Sequence, residues 1–133
     1  MLERKNTMDV HLLYFSPTNT TKRVLRTMFD KQNGYQSIEH NLTDIQFSGI
    51  KMSFAKEDVV VFGIPIYSGR VPKAALDRFR KLRGNNTPAI LVATYGNRHY
   101  DDALIELYDV VKAQGFAVIS AAAIVTEHSV VQE

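Results

Sequence analysis

The residues best suited to chemistry fall in three polar stretches. The first is Ser16-Pro17-Thr18-Asn19-Thr20-Thr21, where four hydroxyls and one amide share six positions ahead of a helix-period segment. A helix start offers free N–H groups and the positive end of a dipole, so hydroxyl donors placed there suit a phosphate. The plainer use of the same residues is a cap, with Thr18 or Thr20 closing the helix. The second stretch is Pro65-Ile66-Tyr67-Ser68-Gly69-Arg70-Val71-Pro72, an aromatic beside a tight-turn pair. The third runs from Thr94 through Tyr95-Gly96-Asn97-Arg98-His99-Tyr100-Asp101. Other phosphate chemistries are excluded by what is missing. Neither G-x-x-x-x-G-K-[ST] nor G-x-G-x-x-G occurs, and the end of the third strand reads Phe62-Gly63-Ile64-Pro65 where a phospho-acceptor aspartate would stand. The chain has no cysteine, which removes thiol nucleophiles, disulfides and thiolate-held clusters.

The elements that must position these stretches follow from the apolar pattern. Val10–Phe15, Val59–Ile64, Ala89–Thr94 and Phe116–Val125 are short apolar runs without alternation, as expected of strands buried on both faces. Tyr35–His40 is a weaker, more polar fifth strand. Between them lie segments of helical period. Thr20–Gln32 ends at Asn33-Gly34; Pro72–Arg83 has proline in its first turn and Gly84 beyond its end; Tyr100–Gln114 stops at Gly115. Leu42–Glu57 supports at most a short helix. Strand–helix alternation implies a parallel sheet with helices on both faces and right-handed crossovers. In such sheets ligands bind beyond the carboxyl ends of the strands, where all three polar stretches fall.

At 133 residues, the chain fits one domain, 1–133, with 1–8 as an irregular start. Hydrophobic residues at 45% and charged residues at 23% are ordinary for a folded domain, and a net charge of +2 gives no reason to expect a nucleic-acid partner. No apolar run is long enough for a signal segment or a membrane span, so a cytoplasmic protein with no membrane partner is expected. The chain ends soon after the last strand. The helix expected over the face beside the first helix is not in the sequence, and the apolar face left open points to a truncated chain, a domain of something longer, or a homodimer surface.

Taken together, the three stretches resemble the flavodoxin family over about residues 9–129. SPTNTT is similar to that family's phosphate loop, [ST]-x-T-G-[NT]-T; GIPIYSGRVP and ATYGNRHYDDALIEL resemble the flavodoxin domains of anaerobic bacteria that are often fused to a two-cluster ferredoxin domain. The resemblance implies an α/β, flavodoxin-like, doubly wound parallel sheet of strand order 2-1-3-4-5 with FMN at the switch point. The chain departs from the pattern in two ways. Asn19 stands where the family has glycine, and both the last helix and the ferredoxin domain are absent.

By this resemblance Ser16, Thr18, Asn19, Thr20 and Thr21 hold the FMN phosphate. Tyr67 and Tyr100 stack on the two faces of the flavin. Ser68-Gly69 presents the peptide that faces flavin N5, and Gly96 and Asn97 bring N–H groups to the pyrimidine edge. Pro65, Ile66, Arg70, Thr94, Tyr95 and Asp101 complete the implied contacts. Arg70 and Arg98 are cations beside the ring, although solvated loop residues are the plainer reading. A basic run, Arg70, Lys73, Arg78, Arg80, Lys81 and Arg83, suits an acidic redox partner such as a ferredoxin or a ferredoxin domain; a solvated helix face is the plainer reading of it. Three functions compete. The resemblance favours an FMN-dependent electron carrier over a stand-alone oxidoreductase. The second is a flavin-dependent reductase of quinone or another small acceptor, and the third a truncated, flavin-free interaction domain.

Overall fold

A computed structural model describes residues 9–29, 35–44, 51–96 and 101–126. Five strands make one parallel sheet: β1 (Asp9–Tyr14), β2 (Gln36–Asn41), β4 (Val59–Pro65), β6 (Thr87–Tyr95) and β7 (Phe116–Val125), in the order β2-β1-β4-β6-β7. Counted within this sheet alone, the order is the expected 2-1-3-4-5. The central strands pair in unbroken parallel register, Val10 to Val59 and Val60 to Ala89. Three helices cross between strands: α1 (Thr20–Met28), α2 (Lys73–Phe79) and α3 (Asp101–Ala113).

Strand alternation splits the core in two. Val10, Leu12, Tyr14, Val61 and Val92 pack with Leu25 of α1 on one face. Leu13, Phe62, Ile64 and Leu91 pack with Phe79 of α2 and Leu107 of α3 on the other. Gly63 allows α1 to sit this close, because a Cβ there would stand 2.6 Å from Leu25 Cδ1.

Several boundaries differ from the sequence expectation. The second helix ends at Phe79, not Arg83, and Pro72 is its N-cap, with ψ 132°. Leu82–Arg83 instead form β5, which pairs with β3 (Met52–Ser53) in a separate two-stranded parallel sheet. The cause is long-range. Gln114 Nε2 donates to the carbonyls of Arg80 and Leu82, both at 2.8 Å, and Phe54 N donates to Arg83 O at 2.9 Å. Gly84 therefore meets Gly115 where a helix stop was expected. Gly115 has φ 98°, and a Cβ on it would lie 2.5 Å from Gly84 O. Leu42–Glu57 contributes β3 and no helix among its described residues; 45–50 lie outside them. The first helix reaches Met28, and its Asn33-Gly34 stop lies outside the described residues.

Among the described residues no helix follows β7, and none is long and apolar enough to cross a membrane. On the α1 face of the sheet Val92 is fully buried, and Ile90 and Ile124 are partly buried. Exposed apolar side chains gather elsewhere, at Ile105 and Tyr108 of α3 and at Ile119 and Val125 of β7. Ile105 and Tyr108 line an open cleft of about 450 Å³ between α3 and the sheet, together with Leu91, Leu104 and Ala121. Ile119 is the extra residue of a bulge, since Ala89 pairs with Val118 and Ile90 with Ser120.

Candidate functional site

The three polar stretches leave the carboxyl ends of adjacent strands β1, β4 and β6, so parallel pairing alone brings them to one edge. The loop after β1 is held from several sides. Phe15 N donates to Gly63 O at 3.0 Å. Ser16 N donates to Thr43 Oγ1 at 2.8 Å, which ties the exit of β1 to the exit of β2. Ser16 Oγ accepts from Lys22 N at 3.1 Å and so takes over the capping of α1. Asn19 is the N-cap residue but makes no side-chain cap; its φ is 67° and its ψ 2°. That left-handed backbone is what the family's glycine would adopt freely, and Asn tolerates it better than most residues.

This wiring sorts the predicted phosphate residues. The hydroxyl of Ser16 accepts the cap bond and keeps its own O–H to donate, and that of Thr21 meets Thr94 Oγ1 at 2.9 Å in a buried pair joining α1 to β6. Thr18 Oγ1 donates to Thr20 Oγ1 at 3.2 Å at the surface. Among the described residues, the backbone N–H groups of Thr18, Thr20 and Thr21 have no acceptor. The result is a set of unfilled N–H donors beside the hydroxyls of exposed Thr18 and half-buried Thr20, at a helix start with no acidic residue in its first turn. An anion fits such a set on chemical grounds.

The second loop is a tight hairpin. Ile66 N donates to Thr94 O at 2.8 Å, anchoring the loop to β6 beyond buried Pro65. Tyr67 and Arg70 then exchange backbone hydrogen bonds of 3.0 and 2.9 Å. Between them Ser68 has φ 52° and Gly69 φ 76°. Two successive positive φ values are the signature of a type I′ turn. Tyr67 is 47% exposed at this edge, and the partial burial raises its hydroxyl above the ordinary phenol range. Arg70 is exposed and borders a charged groove shared with Arg80, Asp102, Glu106 and Asp109.

In the third stretch Thr94 is buried and Tyr95 and Gly96 are half-buried. Tyr95 O accepts from Thr126 N at 2.7 Å. Asn97, Arg98, His99 and Tyr100 lie outside the described residues, so the expected second stacking tyrosine and the pyrimidine-edge Asn97 do too. Asp101 is the first residue of α3.

The basic run does not form one face. Arg78 is buried, and Lys73 and Arg80 both pair with Asp77, at 3.3 and 3.5 Å. Sequence reasoning missed Thr43 and misplaced Arg78. A signal for the latter was present, because Arg78 falls at helical spacing with Ala75 and Phe79, both buried.

Behind the loop a network steadies β1, β2 and α1. Arg26 donates to Glu39 at 2.6 and 2.8 Å, and Tyr14 Oη donates to Glu39 Oε1 at 3.0 Å. Burial, then the hydrogen bond to Glu39, pushes the Tyr14 hydroxyl up to about 12. Arg26 holds the Glu39 carboxyl below its ordinary range. On the opposite face of β1, His11 Nδ1 lies 3.0 Å from His40 Nε2, and His11 Nε2 lies 3.7 Å from Asp58. Burial and the neighbouring His11 lower the pKa of His40.

A five-stranded parallel sheet of this order, with a hydroxyl-rich helix start and a turn at its switch point, defines a flavodoxin-like α/β protein. Residues 6–130 match the sequence model of the family described as NADPH-dependent FMN reductase, and the chain belongs to that family. No curated protein sequence matches it significantly. Solved structures share the fold at low identity. The chain is similar to Megasphaera elsdenii flavodoxin in its two-electron reduced form, at 18% identity and TM-score 0.66, covering 90% of this chain and 88% of that one. A flavodoxin from Streptococcus pneumoniae matches at 14% identity and TM-score 0.65, covering 91% and 86%. A Lactobacillus acidophilus flavoprotein solved in complex with FMN matches at 17% identity and TM-score 0.59, covering 88% and 93%.

Proposed function

We propose that this chain holds FMN at the sheet edge formed by its three loops and acts as a redox protein that passes electrons to or from a separate protein. The observation that carries the reading is the set of unfilled N–H groups at Thr18, Thr20 and Thr21 beside the hydroxyls of Thr18 and Thr20. These groups would take the phosphate, and the half-exposed Tyr67 would lie against the ring. FMN when bound supplies a ring that takes up and releases one or two electrons. The chain's own part is to anchor the phosphate, shield the ring and set the hydrogen bonds at its edge. The Ser68–Gly69 turn suits the last task, because glycine lets the peptide between them turn over at low cost.

A second reading, reduction of a small acceptor at the expense of NADPH, is favoured by the description of the matching family. One preparation separates the two. The purified protein is titrated with FMN and with riboflavin, and the loaded protein is then given NADPH with and without a quinone. A carrier binds FMN much more tightly than riboflavin and leaves NADPH unconsumed until a reductase and a protein acceptor, such as a ferredoxin, are added. Saturable NADPH consumption by the protein alone, with quinone, would establish the reductase instead. Binding of neither flavin would reject both readings and favour an interaction domain.

A further inference from the structure

We infer that Arg78 is a positioning residue for the anion-binding loop, a buried cation whose missing counter-charge is the phosphate of the flavin. The inference rests on the FMN reading above and assigns a role to a residue outside the three loops. Arg78 is 8% exposed. Guanidinium stays charged under all folding conditions, so a buried one needs compensation. Among the described residues no carboxylate pairs with it. Its Nη1 donates to the carbonyls of Leu42 and Thr43, and its Cζ lies 5.5 Å above the ring of Phe15. Carbonyls and an aromatic face soften a buried charge but do not neutralise it.

The contacts of Arg78 all lead to the loop. Phe15 directly precedes Ser16. Thr43, whose carbonyl Arg78 grips, uses its hydroxyl to accept Ser16 N–H. Leu42, the other residue gripped, donates its N–H to Tyr14 O at 2.9 Å. One guanidinium thus fixes the exits of β1 and β2 together and holds the first residue of the loop. It also places a positive charge against Phe15 and Thr43, which adjoin a loop that contains no lysine or arginine between Ser16 and Thr21. The field of a buried charge acts at a distance because little water screens it. Arg78 would therefore favour a charged ligand over a neutral one of the same shape without touching either.

FMN and riboflavin are such a pair, differing by the phosphate. Dissociation constants for both are measured on wild type, Arg78→Gln and Arg78→Lys, with urea unfolding to verify that each variant is folded. In wild type FMN binds more tightly than riboflavin. In Arg78→Gln the FMN affinity falls at least about tenfold while riboflavin affinity stays within about threefold. Arg78→Lys, which keeps the charge, retains most of the preference. Loss of both affinities by the same factor, which a general loosening of the fold would give, overturns the inference. So does an unchanged preference in Arg78→Gln, or a loss in Arg78→Lys equal to that in Arg78→Gln. If Arg78→Gln does not fold, Arg78→Lys decides alone: retained preference supports the assignment and lost preference rejects it. Equal binding of FMN and riboflavin by wild type would instead reject the phosphate site itself, a distinguishable failure.

Discussion

The buried hydroxyl pair between Thr21 and Thr94 offers the sharpest test of how the loops are held together. Both side chains are almost fully buried, at 1% and 3% exposure, and their oxygens are 2.9 Å apart. Valine matches threonine in shape, so Thr21→Val removes the hydroxyl with little change of volume. It leaves the oxygen of Thr94 buried without this partner, a loss of about 1–3 kcal/mol. Thr94→Val should cost a similar amount for the same reason. In the double variant neither side chain keeps a hydroxyl, so the penalty shrinks to the net worth of the bond, about 0.5–1.5 kcal/mol. The double loss is therefore smaller than the sum of the singles, by a coupling of about 1.5–4.5 kcal/mol on these figures. Urea unfolding of the flavin-free protein measures all four stabilities, provided the slope with denaturant stays constant. For a chain of this length each kcal/mol corresponds to about 3–4 °C in Tm, so the singles should also be visible by thermal melting. Additive losses in the double variant would refute the pairing.

Other substitutions test the loop and its supports. Asn19, held at φ 67°, should accept glycine with little change, whereas Asn19→Ala should cost about 1 kcal/mol on thermal unfolding; an equal loss for both would show that backbone strain is not the issue. Gly63→Ala forces a methyl to within 2.6 Å of Leu25 Cδ1 and 3.0 Å of Thr21 Cγ2, so it should lower stability by about 1–3 kcal/mol and weaken FMN binding by shifting the start of α1. Adding Leu25→Ala should recover part of the FMN affinity, and no recovery would place the strain elsewhere. Burial, then the neighbouring His11, keeps the pKa of His40 in the folded chain below its ordinary 6.5. The unfolded chain therefore takes up that proton first as pH falls. The associated stability is present above pH 6.5 and is lost as pH drops through the folded value. Urea unfolding at pH 7 and pH 5.5 should show the loss in wild type and a smaller one in His40→Gln. Glu39, lowered from 4.5 by Arg26, adds a loss further down, which Arg26→Gln should reduce.

What could be read in the residues, and what could not, divides by range. The four long strands were legible because apolar side chains on both faces leave no other reading, and their order came with the family resemblance of the loops. The three loops were legible because they lie between those strands. The shortened α2 was not: Leu82 continues the helical period, and only the amide of Gln114, 32 residues on, claims its carbonyl. Arg78 was read by its charge, as part of a solvated basic run, although its spacing from Ala75 and Phe79 assigned it to the core side. Thr43 carried no local signal at all, since its role exists only where β2 lies beside β1. Ser16 and Thr21, which look like ligand residues in sequence, also bond within the protein, Ser16 Oγ accepting from Lys22 N and Thr21 Oγ1 meeting Thr94 Oγ1.

The bulge in β7 bears on how this molecule behaves in a crowded solution. Phe116–Val125 is an outer strand of ten residues with no charge and no proline, the composition of a surface that recruits further strands. Ile119 is the one residue out of step with β6. It splits the outer rim into two shorter runs of donors and acceptors that cannot both be in phase with a straight incoming strand. A single misfitting residue thus acts as a guard against fibre growth. Straightening the strand by deleting Ile119 would restore a continuous rim and should raise the tendency of concentrated protein to deposit as cross-β material.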